Sequence, residues 1–179
     1  MILEVPYYSQ RTDVFDPDWQ KRACAMACLK MTLDFLGTKT PSLDEMIQQG
    51  VALNAYGPSG WIHEGLAKVA LAYGKTIEPT EFRSEDKEEA EMFLNKGIIA
   101  LVRSLAEGIP VPVSAIKEFK HTDKFHMVIL VGAKTEQGSL EGFYYHDSDA
   151  NSADEGKNKF VPLDTFKKHW RRMALVAKK

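Results

Sequence analysis

The chain is poor in cysteine: Cys24 and Cys28 are the only two among 179 residues. They stand four residues apart in an apolar stretch, so they cannot staple a small secreted fold, and a reducing, cytoplasmic setting is expected. Charge of one sign is also scarce. Lysine and arginine number 23 against 25 aspartates and glutamates, a formal charge of −2, and the interspersed signs leave no basic stripe for nucleic-acid phosphates. The one basic run, Lys167 to Arg172, is interrupted by His169 and Trp170 and reads as a solvated helix face with one buried aromatic. No stretch approaches the roughly 18 apolar residues a membrane span requires. The opening Met-Ile-Leu-Glu-Val-Pro lacks the basic and apolar regions of an export signal. A soluble, cytoplasmic protein with neither membrane nor nucleic acid as partner is the expectation. Phosphate-binding glycine loops and dinucleotide fingerprints are missing, so no organic cofactor is implied. There is no internal repeat and no low-complexity linker.

What is present suits one domain over residues 1–179: 44% hydrophobic and 27% charged residues suffice for a real core. Met26, Leu29, Leu33 and Leu36 recur at helical spacing, which predicts a core helix over Ala23 to Leu36 stopped by Gly37. Ser42-Leu-Asp-Glu45 reads as a capping box opening a helix that ends at Gly50. Gly57-Pro-Ser-Gly60 breaks the chain before a third helix, Trp61 to Tyr73. A fourth is expected from the Ser84 cap to Lys96-Gly97. Beyond Gly97 the texture turns to short branched or aromatic runs: Ile98 to Val102, Phe125 to Val131, Gly142 to Tyr145, Lys159 to Val161 and Met173 to Val176, all read as strands. One further helix, Leu163 to Trp170, is expected, with a long loop from Leu105 to Lys124. Helices first and antiparallel strands afterwards describe an α+β architecture.

Three residues draw chemical interest. Cys24 falls in the first turn of the core helix, where the positive end of the helix and a neighbouring imidazolium stabilise a thiolate. A lone helical cysteine is more often inert packing, which is the reading for Cys28 one turn deeper. His126 opens an otherwise apolar strand, where a titratable ring needs a partner; a satisfied core histidine is the plain alternative. Asp147 ends the aromatic strand Phe143 to His146, where it caps a loop or accepts the imidazole N–H and fixes its tautomer. The combination raises all three, because strands joined through Lys134 to Glu141 set His126 and Asp147 side by side.

At these residues the chain resembles the papain-like cysteine peptidases related to the bacteriocin-processing, double-glycine-leader peptidases, especially their stand-alone peptidase-like domains. The matching segments are Val-Pro-Tyr-Tyr-Ser-Gln10, Ala-Cys24 through Gly37, His126 through Gly132, His146-Asp147-Ser-Asp and Val161 through Trp170. The resemblance implies a papain-like fold and a peptidase or amidase acting on a peptide or amide substrate, with Cys24 as nucleophile, His126 as base and Asp147 as its orienter. It also implies a glutamine that helps bind the oxyanion. Gln10 ends the segment that looks like the family's opening motif and is preferred over Gln20, which lies nearer the cysteine. Ala25 stands where the family usually has glycine, which can narrow the approach to the thiolate, and Ser148 where proline often follows the aspartate.

Other classes stay open on sequence alone. An acyltransferase would use the same triad, and an inactive peptide-binding module would keep the groove without the chemistry. A metal site is also conceivable from Cys24, Cys28, His63 and His121, although their spacings match no zinc pattern. His63 reads as a half-buried packing residue, His146 as pointing away from Asp147, and His121 as a loop residue near the groove.

Overall fold

The structure is a computed structural model describing residues 1–178. The Asp16 carboxylate caps a single helical turn, α1 (Pro17–Gln20), by accepting the Asp18 N–H. The core helix follows as α2 (Cys24–Phe35), buried without a break from Ala25 to Leu33, as befits a helix packed on all sides. The expected capping box is formed at Ser42 and Glu45 and opens α3 (Leu43–Ala52). The Gly57–Gly60 break is a small ribbon of β1 (Tyr56–Gly57) and β2 (Gly60–Trp61). That ribbon takes Trp61 out of the third helix, so α4 (His63–Ala72) begins at His63.

The stretch expected to be helix, strand and loop between Ser84 and Lys124 is organised differently. An edge strand, β3 (Ile77–Glu81), precedes it and tolerates Pro79 because it pairs only with the last strand. Ser84 lies upstream of the true cap, Asp86, whose carboxylate accepts the Glu88 and Glu89 N–H groups and opens α5 (Lys87–Ala106). Ile98 to Val102 is therefore helix and not strand. Leu94, Ile98, Leu101 and Leu105 are buried at helical spacing while Ile99 is exposed, a period that a strand cannot use. Gly97 does not end the helix. A Cβ there would lie 2.6 Å from the Trp170 ring and 2.8 Å from the Phe82 ring, so the glycine marks a close approach inside the helix.

Within the expected loop lies a central strand, β4 (Val111–Ile116), followed by a 3-10 turn at Lys117–Phe119. Pro112 disguised the strand. It is tolerated because pairing with β8 (Trp170–Ala177) starts only at Val113. β5 (Phe125–Glu136) and β6 (Ser139–His146) outrun the expected Phe125–Val131 and Gly142–Tyr145 and pair through most of the expected Lys134 to Glu141 connection. β7 (Lys159–Pro162) and α7 (Leu163–His169) fall close to expectation, with one short turn, α6 (Ala153–Gly156), in the polar loop.

The six large strands form one antiparallel sheet in the order β3-β8-β4-β5-β6-β7. Residues Met127, Ile129 and Val131 of β5 face a core built with α2, α3 and α4, whereas Val128 and Leu130 face a second core built with α5 and α7. Burial on both faces explains why this strand reads as an unbroken apolar run. The N-terminal segment lies along β5, with the Leu3 N–H donating to the Val131 carbonyl at 2.7 Å. Among the described residues no helix is long and apolar enough to cross a membrane.

Candidate active site

The fold brings Cys24, His126 and Asp147 together. Cys24 is the first residue of α2, at the positive end of the helix, and Ala23 before it makes no side-chain capping bond. His126 stands next to the β5 terminus, and Asp147 directly follows β6. Ile129 pairs with His146 across the two strands, which sets the two groups at the same end of the hairpin. His126 Nε2 lies 2.6 Å from Asp147 Oδ1. That contact leaves Nδ1 for the Cys24 thiol, with which the ring interacts electrostatically.

Asp147 is held from several directions. Its backbone N–H donates to the Gly156 carbonyl at 2.8 Å, its carbonyl accepts the Tyr7 hydroxyl at 2.8 Å, and Oδ1 also accepts the Asp149 N–H at 2.9 Å. His126 and Asp147 are only 7% and 3% exposed, so the pair is shielded from water and its geometry is fixed by protein groups.

Burial pushes the Cys24 thiol up, but the charge of His126 and the backbone N–H groups of Met127 and Ala25 outweigh burial and set it below the ordinary value. Burial pulls the other way on His126. The Cys24 thiolate and the Asp147 carboxylate overcome it and hold the imidazole protonated well above the usual range. Asp147 is in turn depressed by the His126 hydrogen bond and charge against the opposing effect of burial. These shifts together favour a thiolate–imidazolium pair. Cys28 has the opposite character: fully buried, its Sγ 3.5 Å from the Met127 carbonyl, it is pushed well up by burial and the nearby Cys24.

Gln10 is buried beside the cleft. Its Nε2 donates to the Gln20 carbonyl at 2.8 Å, its Oε1 accepts the Ser148 hydroxyl at 2.8 Å, and its backbone N–H donates to the Ser148 carbonyl at 2.9 Å. Gln10 lines the cleft with Cys24 and His126. The Gln20 carboxamide instead donates to the Val14 carbonyl. Ser148, read from sequence only as a departure, thus orients the preferred glutamine.

The other histidines separate. His146 is fully buried; its Nδ1 accepts the Asn158 N–H and its Nε2 therefore donates to the Val5 carbonyl, 3.1 Å away. His63 is half-buried and lines the cleft on the side of Tyr56 and Trp61, with burial holding its pKa down. His121 is exposed in the segment before β5. On the opposite side of Cys24 the cleft carries Asp149, bound by Arg11 at 2.5 Å and by Lys117, a cluster for which the sequence offered only the acidic motif at Asp147.

An antiparallel sheet with helices packed on both faces, and a cysteine at a helix start facing a buried histidine–carboxylate pair, define an α+β papain-like fold. The chain belongs to the Peptidase_C39 like family, which matches residues 2–178. No curated protein was found to be similar. Among solved structures, a protein of Bacillus anthracis described as a C39-like peptidase is 17% identical, with 99% of this chain and 97% of that chain covered and a TM-score of 0.66. A double glycine motif protease from an AMS/PCAT transporter, solved with its leader peptide, is 17% identical over 99% and 93% of the two chains, with a TM-score of 0.59. The peptidase domain of Streptococcus ComA, a bifunctional ABC transporter of a quorum-sensing pathway, is 15% identical over 88% and 91%, with a TM-score of 0.60.

Proposed function

We propose that this protein is a cysteine peptidase that cleaves a peptide or amide bond through Cys24, His126 and Asp147. The observation that carries the reading is the 2.6 Å bond from His126 Nε2 to Asp147 Oδ1, which leaves Nδ1 for the Cys24 thiol at the start of α2. The Cys24 sulfur attacks the substrate carbonyl carbon. The developing oxyanion is held by the Cys24 backbone N–H and by the second hydrogen of Gln10 Nε2, the first being bonded to Gln20. The C–N bond then breaks as His126 gives its proton to the departing amine. Water attacks the thioester, His126 takes the proton from that water, and the C–S bond breaks to release the carboxylic acid and restore the thiolate–imidazolium pair. Asp147 keeps the ring in its tautomer throughout.

The test joins alkylation to hydrolysis. Iodoacetamide should label Cys24 at acidic to neutral pH, below the ordinary thiol value of about 8.5, and leave Cys28 untouched. In His126→Ala the labelling should shift to higher pH, because burial is then opposed only by the backbone N–H groups of Met127 and Ala25. Peptide hydrolysis should fall by about three orders of magnitude or more in Cys24→Ser. Full hydrolysis by Cys24→Ser, or an ordinary labelling profile indifferent to His126, would sink the reading.

A further inference from the structure

On the Trp61 side of Cys24 the cleft contains an arginine for which the triad has no use. Arg171 sits where β4–β8 pairing breaks: Ser114 faces Met173 while Ala115 faces Trp170, so Arg171 and Arg172 bulge out between them. Arg172 takes φ +58°, a left-handed conformation that costs a non-glycine residue about 1 kcal/mol or more. Bulges of this kind bend a strand and re-aim a side chain. The guanidinium of Arg171 comes to rest 3.5 Å from the ring centroid of exposed Phe125, the residue before His126, and Nη1 donates to Ser114 Oγ at 3.3 Å.

Neither neighbour carries negative charge. Among the described residues Arg171 forms no ion pair, since Glu81, the carboxylate whose field reaches it, is bridged to Arg83 at 2.8 Å. Lys21 and Arg22 add positive charge to the same lobe, and no aspartate or glutamate lines it. The opposite lobe differs in holding a carboxylate, Asp149, which bridges Arg11 and Lys117, although Lys21 and Lys124 line that lobe as well. With a formal charge of −2, the chain as a whole has no attraction for anions, so the imbalance is local to the cleft.

We propose that the Trp61-side lobe is a subsite for a carboxylate of the substrate, with Arg171 binding an acidic side chain close to the bond that Cys24 attacks. The peptide nature of the ligand rests on the peptidase reading; the charge preference does not. A planar guanidinium already stacked on an aromatic ring is pre-ordered for two parallel bonds to a carboxylate. The basic run ending at Arg172 is thus more than a solvated helix face: α7 stops at His169, and Arg171 belongs to the strand that edges the cleft.

The test uses Cys24→Ala protein and a library of N-acetylated, C-amidated hexapeptides in which one position at a time is Glu, Gln or Lys, read as retention on immobilised protein. Glu should exceed Gln at one position by about tenfold, the low end for a charge-assisted bond because Arg171 is partly exposed. The preference should vanish in Arg171→Gln, persist largely in Arg171→Lys and invert towards Lys in Arg171→Glu. Equal retention of Glu and Gln, or a Glu preference that survives Arg171→Gln, would overturn the inference. Hydrolysis by the native protein is scored separately. A Glu preference without cleavage supports the subsite while removing the peptidase reading, and cleavage without a Glu preference does the reverse.

Discussion

Ser148 decides which end of the Gln10 carboxamide faces the cleft. By donating to Oε1 it fixes the amide so that Nε2 donates to the Gln20 carbonyl, beside the cleft that Gln10 lines with Cys24. Replacing it with alanine leaves a buried acceptor unsatisfied, at a cost of about 1–3 kcal/mol, and frees the amide to turn. Ser148→Ala should therefore lower kcat about tenfold with KM little changed, while Ser148→Thr retains most activity. The iodoacetamide profile of Cys24 should not move, because the thiolate is set by His126 and backbone groups. Unchanged kcat in Ser148→Ala would remove Gln10 from the reaction. The three residues of the proposed triad were readable because each breaks a local rule: a thiol at a helix start, a titratable ring in an apolar strand, a carboxylate at a strand end. Ser148 and Arg171 break none. A serine after an aspartate and an arginine in a basic run are ordinary residues, and only the tertiary contacts to Gln10 and Phe125 give them a role.

Elements with a clean period were legible and those with conflicting signals were not. α3 carries a capping box, α2 a glycine stop, and both a helical spacing, so these two were expected close to their observed bounds, whereas the apolar run of β5 marked the strand only as far as Val131. α5 was cut in two at Gly97 because glycine commonly ends helices, while β3 and β4 were hidden by Pro79 and Pro112. Each misreading took a local punctuation mark at face value where sheet position or packing overrides it. Gly97 gives the sharpest check, because propensity and packing predict opposite signs. Alanine inside an exposed helix gains about 0.5–1 kcal/mol over glycine, but here its Cβ would stand 2.6 Å from Trp170 and 2.8 Å from Phe82. Overpacking of that kind costs about 1–3 kcal/mol, so Gly97→Ala should lower the urea midpoint. A raised midpoint would mean that the ring contacts yield and that Gly97 is merely a weak helix position.

The proposed thiolate–imidazolium pair also ties the stability of the whole chain to pH, with a shape that neither partner produces alone. His126 has a raised folded pKa, so its contribution is complete below its unfolded value of about 6.5 and fades as pH climbs towards the folded one. Cys24 has a depressed folded pKa, so its contribution is absent in acid, grows as pH rises through the folded value and is complete above the unfolded value of about 8.5. Between about 6.5 and 8.5 one fades as the other grows. Counting protons agrees: in that window the folded pair holds one proton, on His126, and the unfolded pair also holds one, on the thiol, so no proton is exchanged on folding. Below the window the unfolded chain binds an extra proton, and above it the unfolded chain loses one that the folded pair keeps. The difference in urea-unfolding free energy between the native protein and Cys24→Ser should therefore form a plateau between about pH 6.5 and 8.5 and decline on both sides. The depressed carboxylates Asp34, Asp147 and Asp149 act only in acid, and Asp34 and Asp149, remote from the exchanged atom, largely cancel in that difference. A difference rising steadily through pH 8 would mean that the folded pair has already lost its proton there, so that His126 is not held protonated beside the Cys24 thiolate.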